Sequence, residues 1–191
     1  MLGWINSISY GPLYGGRNSG LLAFTLTFSG ESPDVEHCEA AETLLTIKSY
    51  PAAIPKWLYL RGRFPQEDVW LHSFCRAARD SGFWTFIESD GQLWRPFFIP
   101  ECTNWLIVVT DGRPWMGFKC HELRFVWDGE APPPDVPPEL ALTQFVLVPP
   151  EGTPAEKILD FLRKAKGSWS VALRPKNAFK VQIYPKIDAL H

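Results

Sequence analysis

Residues 104–110 read NWLIVVT, and this run decides the fold. Trp105, Leu106, Ile107, Val108 and Val109 are apolar without interruption, and three of these five are β-branched. A strand with one wet face alternates apolar and polar residues. A continuous apolar run of this length belongs to a strand covered on both faces, as in a parallel sheet. Runs of the same kind lie on either side. FWTFIES (83–89) stops at the turn signal Asp90-Gly91, and KWLYLRG (56–62) and GLLAFTLTF (20–28) precede it. ELRFVWD (122–128), QFVLVPP (144–150) and SWSVALRP (168–175) follow.

Helical periodicity fills several of the gaps. Residues 66–81 form the strongest helix, with Val69, Phe74, Ala77 and Ala78 on one face and Gly82 closing it. Residues 39–50 read as a short helix ended by Pro51, and AEKILDFLRKAKG (155–167) as another, with Ile158, Leu159 and Leu162 turned inward. Residues 4–20, rich in glycine, serine and asparagine, read as a loop after at most a short strand. GEAPPPDVPPE (129–139) reads as a stiff, proline-rich connector. Strands alternating with helices predict an α/β domain with about six mostly parallel strands and about three main helices. A closed eight-fold barrel takes about 250 residues, so this chain of 191 suits an abbreviated, open, partial TIM-like barrel. The whole of 1–191 is read as a single domain.

Composition narrows the functional classes. A net charge of −2 gives no electrostatic case for nucleic acid. No run of about 18 apolar residues exists to span a membrane. The N-terminal residues lack a basic start followed by an apolar run, so a cytoplasmic location is expected. The four cysteines, at 38, 75, 102 and 120, form no Cys-x2-Cys clip and are expected reduced and mostly buried. Nine tryptophans are enough to line a pocket or an interface.

Most short motifs fail on their chemistry. Gly15 and Gly20 have the spacing of a phosphate loop, but Leu21-Leu22 follows where lysine and a hydroxyl residue are needed. His72 and Cys75 stand one helical turn apart with no second pair to complete a metal site. Cys120 and His121 are adjacent on a strand and point opposite ways. No Gly-x-Ser-x-Gly elbow is present. Glu88 and Asp90 fall at a strand's C-terminal end, where parallel α/β folds build their sites. They suit an acid/base pair or a ligand anchor, or else a paired Glu88 beside a solvated turn acid.

The order of these pieces resembles the 7-carboxy-7-deazaguanine synthase family, small radical S-adenosylmethionine enzymes of the queuosine pathway. SYGPLYGGRNS (9–19) and FTLTFSG (24–30) resemble the family's opening segment and the strand entering its cluster loop. FIESDG (86–91) looks like its Ile-Glu-Thr-Asn-Gly, ELRFV (122–126) like its Glu-Leu-Lys-Phe/Tyr-Val, and LVP (147–149) like its Leu-Gln-Pro. LRPKN (173–177) stands where the family has Leu-Gln-x-His-Lys. The family's three cluster cysteines fall on Glu31, Val35 and Cys38, so one thiol remains. Glu39-Ala40 replaces the Asp-Thr that helps hold magnesium. Arg61-Gly62-Arg63-Phe64-Pro65 replaces the Thr-Gly-Gly-Glu-Pro that grips the cofactor's methionine. One thiolate cannot hold a [4Fe–4S] cube, and Val35 offers no ligand.

The resemblance therefore implies a degenerate member without iron–sulfur cluster, S-adenosylmethionine or a metal site. The expected function is that of a catalytically inactive binding or interaction protein. Arg61, Arg63, Glu88, Asp90, Arg174 and Lys176 would surround the ligand, a small anionic, pterin- or purine-like heterocycle. A catalytic protein partner is the other expected occupant, and the family's habit implies a homodimer. Two enzyme readings stay open: a synthase-like radical enzyme with non-standard cluster ligation, and a non-radical enzyme on the same scaffold.

Overall fold

The computed structural model describes residues 5–14, 18–29, 40–49, 56–64, 68–89, 103–111, 120–135, 143–172 and 181–184. The strands are β1 (Ile5–Pro12), β2 (Leu22–Ser29), β3 (Trp57–Arg63), β4 (Trp84–Ser89), β5 (Trp105–Thr110), β6 (Glu122–Val126), β7 (Gln144–Val148), β8 (Trp169–Val171) and β9 (Val181–Tyr184). Three helices are described: α1 (Ala40–Lys48), α2 (Asp68–Asp80) and α3 (Ala155–Lys164). All nine strands belong to one open sheet, in the order β8-β7-β6-β5-β4-β3-β2-β1-β9. From β2 to β8 every neighbouring pair is parallel, whereas β1 runs antiparallel to both β2 and β9.

The α/β architecture and the mostly parallel sheet are as the sequence predicts. Among the described residues there are nine strands, where the sequence predicts about six. The expected loop over residues 4–20 holds all of β1, and β9 was not foreseen. Polar residues such as Ser7 and Ser9 read as loop locally, yet strands on both sides satisfy the backbone of β1.

Seven parallel strands follow one another in chain order, without the reversal that defines a doubly wound sheet. The described helices fall on one side of these strands, as crossovers of one hand require. The packing agrees. Leu44 and Ile47 of α1, and Leu71, Phe74 and Ala78 of α2, share one cluster with Leu26, Leu60, Ile87 and Val108. On α3, Phe161 meets Phe125, Trp127 and Leu147 on the same face of the sheet. Ile158 and Leu162 turn inward as expected, but Leu159 is half exposed, and Phe161 takes the central inward position.

The expected connector is an ordered turn where it is described. Asp128 Oδ1 accepts the backbone N–H groups of Glu130 and Ala131, and these two bonds hold its carboxyl below the usual aspartate range. Trp127 Nε1 donates to Ala131 O at 2.8 Å. An open cavity of about 280 Å3 lies between this turn and α3, on the helix side of the sheet, lined by Trp127, Phe161, Lys157 and Lys164 among others.

Candidate functional site

The face of the sheet opposite the helices is the chemically informative one. Alternation sends Phe24, Leu26, Leu58, Leu60, Ile87, Leu106 and Val108 toward the helices. It sends the residues between them to the other face. The strand register lines these up as Thr27, Arg61, Glu88, Ile107, Glu122 and Gln144, crossing from β2 to β7. Below that row lie Ser9, Thr25, Tyr59, Phe86 and Trp105, and above it Val109, Arg124 and Val146. Part of this face is a second apolar cluster, built on Ala23, Tyr59, Phe86 and Ile107.

A charged network sits on that floor. The Tyr59 hydroxyl donates to Glu88 Oε2. Arg124 Nη1 donates to Tyr59 Oη at 3.0 Å and to Glu88 Oε2 at 3.1 Å. Arg124 Nε donates to Glu122 Oε1 at 2.6 Å. The Glu122 side chain is wholly buried, and those of Arg124 and Glu88 are 12% and 17% exposed. Arg61 Nε stands 3.9 Å from Glu88 Oε1 on a side chain that is 48% exposed, so it flanks the network.

The electrostatics fix the protonation states of two members. Burial, reinforced by the Glu88 carboxylate, pushes the Tyr59 pKa far above the ordinary phenol range, so the hydroxyl stays a donor. Burial of Arg124 opposes its charge, but the combined influence of Tyr59, Glu122 and Glu88 outweighs it and raises the pKa. The guanidinium is thus the fixed centre that holds two carboxylates on one face.

Hydrogen bonding is incomplete around this centre. Four buried side-chain atoms among the described residues have no partner: Ser9 Oγ, Asn18 Nδ2, Trp105 Nε1 and Glu122 Oε2. Three of them, all but that of Asn18, belong to this face. Native structures rarely leave buried polar atoms unpaired, and such groups mark positions filled by water, an ion or a ligand. Beside them His121 stacks on Trp105, with ring centroids 5.0 Å apart, and its Nδ1 accepts the Leu106 N–H at 2.9 Å.

Of the residues singled out from the sequence, the structure brings Arg61 and Glu88 together here. Arg63 is the last residue of β3. Asp90, Arg174, Lys176, Glu31, Val35 and Cys38 lie outside the described residues. Glu88 is the paired carboxylate of the sequence alternatives, held by Tyr59 and Arg124. Sequence reasoning passed over Tyr59, Trp105, Glu122 and Arg124 as site residues. Their signal was available: in ELRFV, two charges at i and i+2 interrupt a strand whose neighbours predict full burial.

Two further expectations meet their geometry here. Phe64, where the resemblance places a cofactor-gripping glutamate, packs into the helix-side core at 5.0 Å from Phe28. Cys75 and Cys120 are buried, and burial pushes the thiol of Cys120 up to about 11. Among the described residues, no three or more His, Cys, Asp or Glu side chains converge as metal ligands. No described helix is long and apolar enough to cross a membrane. No family model matches the chain, and no curated protein matches it.

Proposed function

We propose that this chain is a cluster-less relative of the 7-carboxy-7-deazaguanine synthases, working as a cytoplasmic binding protein on a partial barrel. Its ligand class is a pterin- or purine-like heterocycle, bound on the polar face of the sheet, and its assembly is a homodimer. The observation that carries the binding reading is the set of buried, unpartnered polar atoms on that face, Glu122 Oε2 foremost. A packed face with no ligand would leave these groups desolvated at a cost of about 1–3 kcal/mol each.

The chain-order run of parallel strands, with the described helices packed on one face, supports the partial-barrel reading. The face opposite the described helices would be the concave interior. The donor set does not fit an iron–sulfur cluster: Glu31 and Val35 supply no thiolate, and Cys75 and Cys120 are committed to the core. Glu88 is engaged by a tyrosine and an arginine, which favours a ligand anchor over a free base.

The test is iron and acid-labile sulfide content after anaerobic reconstitution. Iron near zero supports the reading. About four irons per chain, the content of one cubic cluster, would overturn it.

A further inference from the structure

Glu122 and Arg124 are two residues apart on β6 and share the face opposite the described helices. The usual match between guanidinium and carboxylate is a fork, with two parallel N–H···O bonds. Here the pairing is single. Arg124 gives Nε to Glu122 Oε1 and turns Nη1 to Tyr59 and Glu88. Glu122 Oε2 is left with no partner among the described residues, on a side chain with no exposure.

A count of charge points the same way. Within hydrogen-bond reach, the network holds two carboxylates, Glu88 and Glu122, against one guanidinium, Arg124. Arg61 adds a cation only at 3.9 Å, on a half-exposed side chain. Glu122 Oε2 itself meets neither a cation nor a donor among the described residues. A buried charge is retained only where something pairs with it. An anion placed there would bring a further acceptor against Glu122 Oε2, whereas a donor would complete it.

The surroundings are flat and aromatic. Ile107 pairs directly with Glu122, and Trp105 lies two residues before Ile107 on the same face. Residues so placed diagonally are within reach of long side chains. Trp105 Nε1 is itself buried and unpartnered, and its ring is already stacked with His121. Aromatic rings beside a carboxylate form a setting that attracts flat cations.

We infer that Glu122 and Trp105 form a recognition subsite for a planar nitrogen cation of the amidinium class, whose N–H groups complete the hydrogen bonding of Glu122 Oε2. This deepens the binding reading above and rests on it, and it reverses the expected charge of the bound group. The ligand's charged end toward Glu122 is positive, and only the half-exposed Arg61 remains to meet an anionic end.

Benzamidine and benzoate test the assignment, because they share a shape and differ in charge. Titration of the full-length protein is followed by the indole N–H resonances of 15N-labelled samples, with the Trp105 signal assigned from Trp105→Phe. Benzamidine is expected to shift the Trp105 resonance and bind at least tenfold more tightly than benzoate. Glu122→Gln is expected to remove most of that preference, with its fold checked by its own spectrum. Benzoate binding as well as benzamidine, or benzamidine binding unchanged in Glu122→Gln, overturns the inference, as does no response to either. Should Glu122→Gln fail to fold, the wild-type benzamidine-to-benzoate ratio and the Trp105 shift still decide. The outcome is independent of iron content, so failure here and failure of the cluster-less reading are told apart.

Discussion

At the residue scale, Gly62 and Arg124 show how narrowly individual positions are specified. Gly62 has φ +98, and a Cβ there would stand 2.4 Å from Phe28 O on the paired strand. Gly62→Ala therefore combines a left-handed backbone with a backbone clash, and it should cost about 3 kcal/mol or more in urea unfolding. A loss under about 1 kcal/mol would show that β2 and β3 shift apart easily. Arg124→Ala leaves two carboxylates facing each other with no cation between them, at an expected cost of about 3–5 kcal/mol. His121 brings a pH dependence. Burial lowers its pKa, and its neutral Nδ1 accepts the Leu106 N–H. A base with a depressed folded pKa stabilises the fold above its unfolded pKa of about 6.5, and that contribution fades as pH falls below it. The stability gap between wild type and His121→Ala should accordingly narrow from pH 7.5 to pH 5. A gap that widens on acidification would contradict the neutral-acceptor role.

At the element scale, the helices differ in what they bury. Phe74 of α2 is fully buried against the sheet, so Phe74→Ala should cost about 3–5 kcal/mol through lost burial and the cavity left behind. On α3, Leu159 is half exposed, and Leu159→Ala should change stability by no more than about 0.5 kcal/mol. Equal losses in the two variants would mean that α3 is covered on its outer side. The sequence located both helices to within about two residues at most ends, the usual uncertainty of helix boundaries. It placed Ile158 and Leu162 of α3 inward, as they are, but misjudged Leu159, because Leu159 and Phe161 are both apolar and only contact with Phe125 and Trp127 separates them.

At the scale of the whole molecule, one core cluster runs from Ile5 of β1 to Phe145 of β7 and takes in α1 and α2. Elements that share a core unfold together. Urea unfolding followed by tryptophan fluorescence and by far-ultraviolet circular dichroism should give coincident single transitions. Two separated transitions would divide the sheet into independent halves. The parallel part of this sheet was legible because its strands are rich in apolar, β-branched and aromatic residues, and that composition needs no partner to be recognised. The antiparallel margin was not, since β1 reads as loop until β2 and β9 supply its hydrogen bonds.

What the sequence determined by itself is what depends on near neighbours along the chain: the apolar runs that become central strands, the helical faces and the glycine closing α2. The site belongs to the tertiary structure. Tyr59 and Glu88 are 29 positions apart, and Tyr59 and Arg124 are 65 apart. Only the strand order places them on one face and leaves Glu122 Oε2 buried without a partner. Charge in a strand can be read from composition, but whether that charge is paired depends on distances that parallel crossovers set.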